Sequence, residues 1–214
     1  FFIVLILMPH WIRLQQSFFP SGQPIRIDGP NTHYHKKGTP TLGGVLILFS
    51  IILSSILWTS NFSSFNYILI LTLILFGLIG FIDDFQKVKL GKGITTKTKF
   101  LCQLLATLLI YYTIKYNGFD LNKFSIPFLK NVSIELGYFY FVIILLIVVG
   151  STNATNLTDG LDGLVSMPLI FVFLTFAIFA YVLGNINFSD YLLVNYIKGS
   201  GEVVIFCTSA IGAL

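Results

Sequence analysis

Residues 65–82 read FNYILILTLILFGLIGFI, without one charged side chain, and the two residues that follow, Asp83 and Asp84, are both acidic. The run closes a longer stretch, 38–82, that contains no Asp, Glu, Lys or Arg. A helix crossing a bilayer needs about 20 mostly apolar residues, with a range of about 17–25. Residues 65–82 meet that length. A membrane-spanning strand would alternate apolar and polar positions over about ten residues. This run is continuously apolar, so it reads as a transmembrane helix.

Working outward, four more segments come near or meet the same length: Leu42–Trp58, Phe100–Tyr116, Ile134–Asn153 and Leu164–Leu183. Two partial ones flank them, Phe1–Leu14 and Glu202–Leu214. Across the 214 residues, 55% are hydrophobic and 10% charged, with a mean hydropathy of +0.85. A water-soluble domain carries about 25% charged residues to cover its surface, so lipid must solvate most of this chain. The expected fold class is all-α, a polytopic transmembrane helix bundle with five full and two partial helices. Residues 1–214 form a single integral membrane domain, expected to be truncated at both ends because each end falls inside an apolar run. Cys102 and Cys207 lie in apolar runs with no metal-ligand spacing, which argues against a disulfide framework or a zinc site. The net charge of +4 comes from loops and gives no argument for nucleic acid.

Lysine and arginine set the orientation, because cytoplasmic loops carry the excess. Arg13, Arg26, Lys36, Lys37, Lys87, Lys89, Lys92, Lys97 and Lys99 fall on one side; Lys115, Lys123, Lys130 and Lys198 fall on the other. The first side is therefore predicted to be cytoplasmic. It also gathers Asp28, Asp83, Asp84, Asp159 and Asp162 on three separate segments.

The first segment, 22–44, is rich in Gly and Pro until a helix begins near Thr41. Thr39 or Thr41 can cap that helix, whose exposed N–H groups suit an anion. Lys36 and Lys37 add positive charge there, although a basic juxtamembrane loop alone would place them so. The second segment opens with Asp83-Asp84. Adjacent residues project about 100° apart on a helix, so the two carboxylates are expected to do different jobs: one as base or nucleophile, the other orienting a cation or substrate group. The plainer alternative is a pair of acids marking a helix end in water. In the third segment, Asn153, Asn156, Asp159 and Asp162 recur every third position, which keeps neighbours on one helical face. Gly160 and Gly163 predict a break that folds this stripe around a ligand. Stripes that only pack helices together use small residues and amides rather than carboxylates.

Carboxylates, lysines and a helix N-terminus converging on one membrane face suit a polyphosphate. Mg²⁺ takes one or two carboxylates together with phosphate oxygens, and phosphoryl transfer asks mainly for positioning and charge neutralisation. The residues thus predict a phosphate-handling integral membrane enzyme. A membrane transporter is the alternative of a different class, since intramembrane acids often mark ion paths; its ionisable groups should sit near helix midpoints, where the five full segments have almost none.

Three motifs carry a resemblance. Asp28-Gly29-Pro30 through His33 and the block Lys36-Lys37-Gly38-Thr39-Pro40-Thr41-Leu42-Gly43-Gly44, then Gly80-Phe81-Ile82-Asp83-Asp84-Phe85, then 153–164 from Asn153 to Leu164, resemble the phospho-N-acetylmuramoyl-pentapeptide transferase family in order and spacing. The resemblance spans nearly the whole chain. It implies a ten-helix fold, a homodimer, and a bacterial inner (cytoplasmic) membrane enzyme working at the cytoplasmic face. The implied reaction moves phospho-MurNAc-pentapeptide from UDP-MurNAc-pentapeptide to undecaprenyl phosphate, making lipid I and UMP for peptidoglycan synthesis, with Mg²⁺ as cofactor. By motif position, Asp83 and Asp84 are the catalytic pair. Lys36 lies in the nucleotide and phosphate pocket, Asn156, Asp159 and Gly160 make uridine and active-site contacts, and Thr41, Asn153 and Asp162 occupy further substrate-binding positions. Related polyprenyl-phosphate GlcNAc-1-phosphate transferases share the aspartates and the Asn/Asp stripe; the Lys-Gly-Thr-Pro-Thr block favours the muramoyl branch. Leu42 replaces a usual Met, a volume-conserving change. The family's Mg²⁺-binding Asp and a His-rich loop are expected beyond Leu214, so the 214-residue chain by itself is predicted to be inactive.

Overall fold

The computed structural model describes residues 1–18, 42–60, 62–119, 121, 123–125, 133–159 and 163–214. Within them the chain runs through helices α1 (Phe2–Phe18), α2 (Gly44–Trp58), α3 (Ser64–Leu90) and α4 (Thr96–Tyr116), a short hairpin β1 (Lys123–Ser125) and β2 (Ser133–Glu135), then α5 (Phe139–Thr158), α6 (Ser166–Gly184), α7 (Ile186–Tyr191) and α8 (Glu202–Ala213). The all-α membrane bundle read from the sequence is the fold observed, with each of the seven apolar segments helical over most of its length. The hairpin is an addition, antiparallel with Phe124 opposite Ile134. It delays the start of α5 to Phe139, five residues after the expected Ile134.

Among the described residues, three helices are long and apolar enough to cross a bilayer: α3, α5 and α6. The apolar helices α2 and α8 are shorter; α2, with 15 residues, is about 22 Å long at 1.5 Å per residue. Helix α4 has the length, 21 residues, but its composition is mixed, and the polar Gln103 and Thr107 within its apolar stretch turn inward. Gln103 and Thr107 are 1% and 0% exposed, whereas Leu101, Leu105, Leu109 and Tyr112 face outward. In lipid, this inside-out arrangement is what the cost of polar side chains in hydrocarbon demands.

α4 packs between α3 and α5, while α8 packs on α6, α2 and α3. The second group meets at Ile51, Phe206, Ala210 and Ala213, with Val4, Ile47, Leu69, Leu73 and Phe173 against them. Small residues let these helices approach closely: Ala177 and Ala180 on α6 and Ala210 and Ala213 on α8 are all buried. Trp11 ties α1 to the entry of α2 by donating its indole N–H to the Leu42 carbonyl at 3.0 Å.

Two helix boundaries bear on the site. The N-cap of α2 is Gly43 and it makes no side-chain cap bond, so the helix starts later than the expected cap at Thr39 or Thr41, both outside the described residues. Helix α3 does not end at Asp83 but continues to Leu90, where Gly91 adopts the left-handed conformation (φ 71°) and its N–H bonds the Lys87 carbonyl. Lys87 sits three and four residues after the two aspartates, the spacing at which opposite charges support a helix. Lys87 and Lys89 in the last turn also complement the negative end of the helix dipole.

Candidate active site

The C-terminal end of α3, the N-terminal end of α4 and the C-terminal end of α5 share one end of the bundle, since α4 runs antiparallel between the other two. This brings the second and third polar segments of the sequence together. Asp83 is buried, its side chain 8% exposed, while that of Asp84 is 39% exposed. The two carboxylates thus face different surroundings, as their angular separation on a helix requires.

Asp83 is fully engaged. Its Oδ2 pairs with Lys87 Nζ at 2.8 Å and Lys99 Nζ at 3.5 Å, and its Oδ1 accepts the Ile94 N–H at 2.9 Å. That last bond needs the 91–95 link to fold back over the carboxylate. Gly93 permits it: a Cβ there would lie 2.5 Å from Asp83 Oδ1 and 3.0 Å from Lys87 Cε. Lys99 is positioned by the start of α4, where Thr95 Oγ1 accepts the Thr98 N–H at 3.3 Å.

Lys87 bridges the pair, since its Nζ also lies 2.8 Å from Asp84 Oδ1. The other Asp84 oxygen has no protein partner among the described residues. Two carboxylates and two ammonium groups therefore balance in charge, with one carboxylate oxygen left over at the surface. Next to them, Phe81 and Phe85 stack with centroids 5.9 Å apart, and Lys89 lies 6.0 Å over the Phe85 ring.

The stripe on α5 is helical as far as Thr158 rather than looped from Asn153, and Asp159 is its C-cap. Asn153 is half-buried, donating Nδ2 to Gln103 Oε1 at 3.0 Å and to the Val149 carbonyl at 2.8 Å. Asn156 and Asp159 are exposed. Gly163, just before α6, takes the left-handed conformation (φ 77°), which a glycine adopts at no steric cost. Lys36, Thr41, Gly160 and Asp162 lie outside the described residues.

Gln103 is the residue that sequence reasoning missed. It lies four positions after Lys99, on the same face of α4, so α4 touches Asp83 through Lys99 and Asn153 through Gln103. The available signal was a single amide in an apolar run, which in a membrane helix marks a packed, hydrogen-bonded face. Lys87 and Lys99, which in the sequence counted toward the cytoplasmic excess of positive charge, are the direct partners of Asp83.

Among the described residues no three His, Cys, Asp or Glu side chains converge on a metal position. Among the described residues at this end of the bundle, Asp84 keeps one carboxylate oxygen without a protein partner, and the exposed Asp159 lies at the end of α5. A cation that takes most of its ligands from phosphate and water, as Mg²⁺ does, needs no more than one or two such groups, so this donor set fits Mg²⁺ held jointly with a phosphorylated ligand.

Comparison with known proteins bears on what binds there. The sequence model of glycosyl transferase family 4 matches residues 66–213, which include the aspartate pair and the α5 stripe. The chain is 42% identical over 216 residues to phospho-N-acetylmuramoyl-pentapeptide-transferase of Desulfotalea psychrophila, covering 100% of this chain and 60% of that protein. It is 40% identical over 208 residues to the protein of that name from Rickettsia prowazekii, covering 96% and 58%. It is 44% identical over 215 residues to the one from Desulforapulum autotrophicum, covering 99% and 60%. The chain thus spans about 60% of the length of these curated relatives. Its three membrane-capable helices and its bacterial relatives mark an integral membrane protein of bacterial kind. With both the second and third polar segments inside the matched region, the chain belongs to glycosyl transferase family 4.

Proposed function

We propose that the protein of which this chain is part transfers phospho-MurNAc-pentapeptide from UDP-MurNAc-pentapeptide to undecaprenyl phosphate, making lipid I and releasing UMP. The names of its relatives favour the muramoyl-pentapeptide donor over a GlcNAc donor. In such a transfer a lipid phosphate oxygen forms a new bond to the phosphorus next to the sugar. The bond from that phosphorus to UMP breaks, and UMP leaves with the electron pair.

The observation that carries the reading is the unequal treatment of the two aspartates. Asp83 is closed off by Lys87, Lys99 and the Ile94 N–H and serves as the internal anchor that fixes both lysines. Asp84 shares Lys87 but keeps one oxygen open at the surface, and it is the group that meets the phosphates. Mg²⁺, when bound, neutralises phosphate charge, and Asp84 is the described residue that would hold it. Lys87 and Lys99 add positive charge where charge develops during transfer, which is the main demand of phosphoryl chemistry. Asn153, Asn156 and Asp159 form the wall that receives the nucleoside, with Lys36, Thr41, Gly160 and Asp162 as further contacts. The site works at the cytoplasmic face of the inner membrane, in a homodimer.

UMP release by the complete protein, in detergent with both substrates and Mg²⁺, tests this. Asp84→Asn is expected to abolish release while the protein still inserts in the membrane. Wild-type turnover in both Asp83→Asn and Asp84→Asn would remove the aspartate pair from the reaction.

A further inference from the structure

At the end of the bundle opposite Asp83, a cavity of about 620 Å³ is lined by Phe62, Ser63, Phe65, Phe119, Lys198 and Glu202. It lies where the start of α3, the end of α4 and the start of α8 meet. Nineteen residues of α3 separate Ser64 from Asp83, a rise of about 28 Å, close to the roughly 30 Å thickness of a bilayer's hydrocarbon core. The cavity therefore sits at headgroup level in the leaflet opposite the aspartates.

Its polar atoms are short of donors. Glu202 Oε1 accepts from Ser60 Oγ at 3.0 Å, but Glu202 Oε2 is buried with no hydrogen-bond partner among the described residues, and so is Ser63 Oγ. Buried carboxylate oxygens are rarely left this way, because nothing replaces the water they have lost. Phe65 and Phe119 meet edge to face, with centroids 4.8 Å apart, and Phe62 is exposed at the mouth. Aromatic rings beside a carboxylate favour an ammonium group. Lys198 lines the same cavity and has no ion pair among the described residues, Glu202 included. Among the described residues, one cavity thus offers a negative, donor-poor, aromatic part and a lysine with no ion pair. That complements a ligand with a primary ammonium and a phosphate a few bonds apart.

We propose that this cavity binds the headgroup of an aminophospholipid, with the ammonium on Glu202 and Ser63 and the phosphate toward Lys198. The site is separate from the proposed transferase chemistry, and neither depends on the other. A primary ammonium brings three N–H donors to the two unpartnered oxygens, which a quaternary ammonium cannot do.

Native mass spectrometry of the delipidated, detergent-purified protein tests the site with dioleoyl phosphatidylethanolamine, phosphatidylcholine or phosphatidylglycerol added. Phosphatidylethanolamine is expected to be retained about tenfold more strongly than phosphatidylcholine, since charge-assisted hydrogen bonds are the strong ones. Glu202→Gln should erase that preference, and Lys198→Ala should weaken retention of phosphatidylethanolamine. Equal retention of the three lipids by the wild-type protein overturns the proposal without any variant. So does a preference that survives in Glu202→Gln. Binding of soluble glycerophosphoethanolamine as tight as that of the lipid would make the ligand a soluble phosphoethanolamine rather than a membrane lipid, and that also overturns it.

Discussion

The N–H of Ile94 reaches Asp83 Oδ1 at 2.9 Å across a turn that passes close over the carboxylate at Gly93. A Cβ at Gly93 would fall 2.5 Å from that same oxygen, so an alanine must displace either the 91–95 link or the carboxylate. Moving the carboxylate disturbs both of its lysine contacts. Gly93→Ala is expected to lower stability by about 1–3 kcal/mol, the usual cost of overpacking, and to reduce UMP release by the complete protein. Thermal unfolding in detergent reads the first effect. An unchanged midpoint would mean that the link relaxes freely and that the glycine is not required.

The two aspartates should also separate by stability. Asp83→Asn takes from the partly buried Lys99, 18% exposed, its one carboxylate partner among the described residues and leaves Lys87 with Asp84 alone, so a loss of about 1–3 kcal/mol is expected, the cost of leaving a charge-assisted partner unsatisfied. Asp84 is more exposed, and its single pair to Lys87 should be worth only about 0–1 kcal/mol. Chemical denaturation in mixed micelles gives the ranking. If Asp84→Asn proved the more destabilising, the division into anchor and working carboxylate would fail.

The same cluster shows where sequence reading stops. Apolar runs placed the helices because hydrophobicity is local information, and the Asp83-Asp84 and Asn153–Asp159 patterns stood out because acids and amides are costly beside lipid. The charged residues after Ile82 looked like a loop for the same reason. Their helical continuation to Leu90 brings Lys87 to both aspartates, and it ends at Gly91, a residue type well suited to that stop. The pairing of Gln103 with Asn153 joins residues fifty positions apart, and no local pattern encodes it. The three-residue strands β1 and β2 are likewise too short to carry a periodicity.

The Gln103–Asn153 bond can be weighed by a double-mutant cycle. Gln103 is almost wholly buried, and its Nε2 has no partner among the described residues, so Gln103→Leu removes an unsatisfied donor along with the bond. The single substitution is therefore expected to be near neutral for stability. Paired with Asn153→Ala it should show a coupling of about 0.6 kcal/mol, the average for hydrogen bonds between membrane helices. UMP release by the complete Gln103→Leu protein should fall even so, because Asn153 keeps only the Val149 carbonyl to orient it. Zero coupling with full activity would show that α4 does not set the α5 stripe.

Far from the aspartates, α6 and α8 touch through backbone. A Cβ on Gly184 would lie 2.6 Å from the Gly201 nitrogen and 3.0 Å from its Cα, and neither backbone atom can rotate away as a side chain would. Ser200 Oγ donates to the Ala180 carbonyl at 3.0 Å in the same contact, and the Ile197 N–H bonds the Leu183 carbonyl at 2.8 Å. Gly184→Ala must therefore push the start of α8 away and stretch both bonds, at a cost of about 1–3 kcal/mol for the forced shift. Gly199→Ala meets only side chains, at 3.5 Å and beyond, but is strained by its positive φ of 86°, and L-residues there cost about 1–2 kcal/mol. Thermal unfolding of the two variants separates the mechanisms when each is combined with Ser200→Ala. The loss at Gly184 should shrink in that background, because the bond it breaks is already gone, while the loss at Gly199 should stay the same. Equal additivity of both with Ser200→Ala would mean that α8 does not move as a unit on α6.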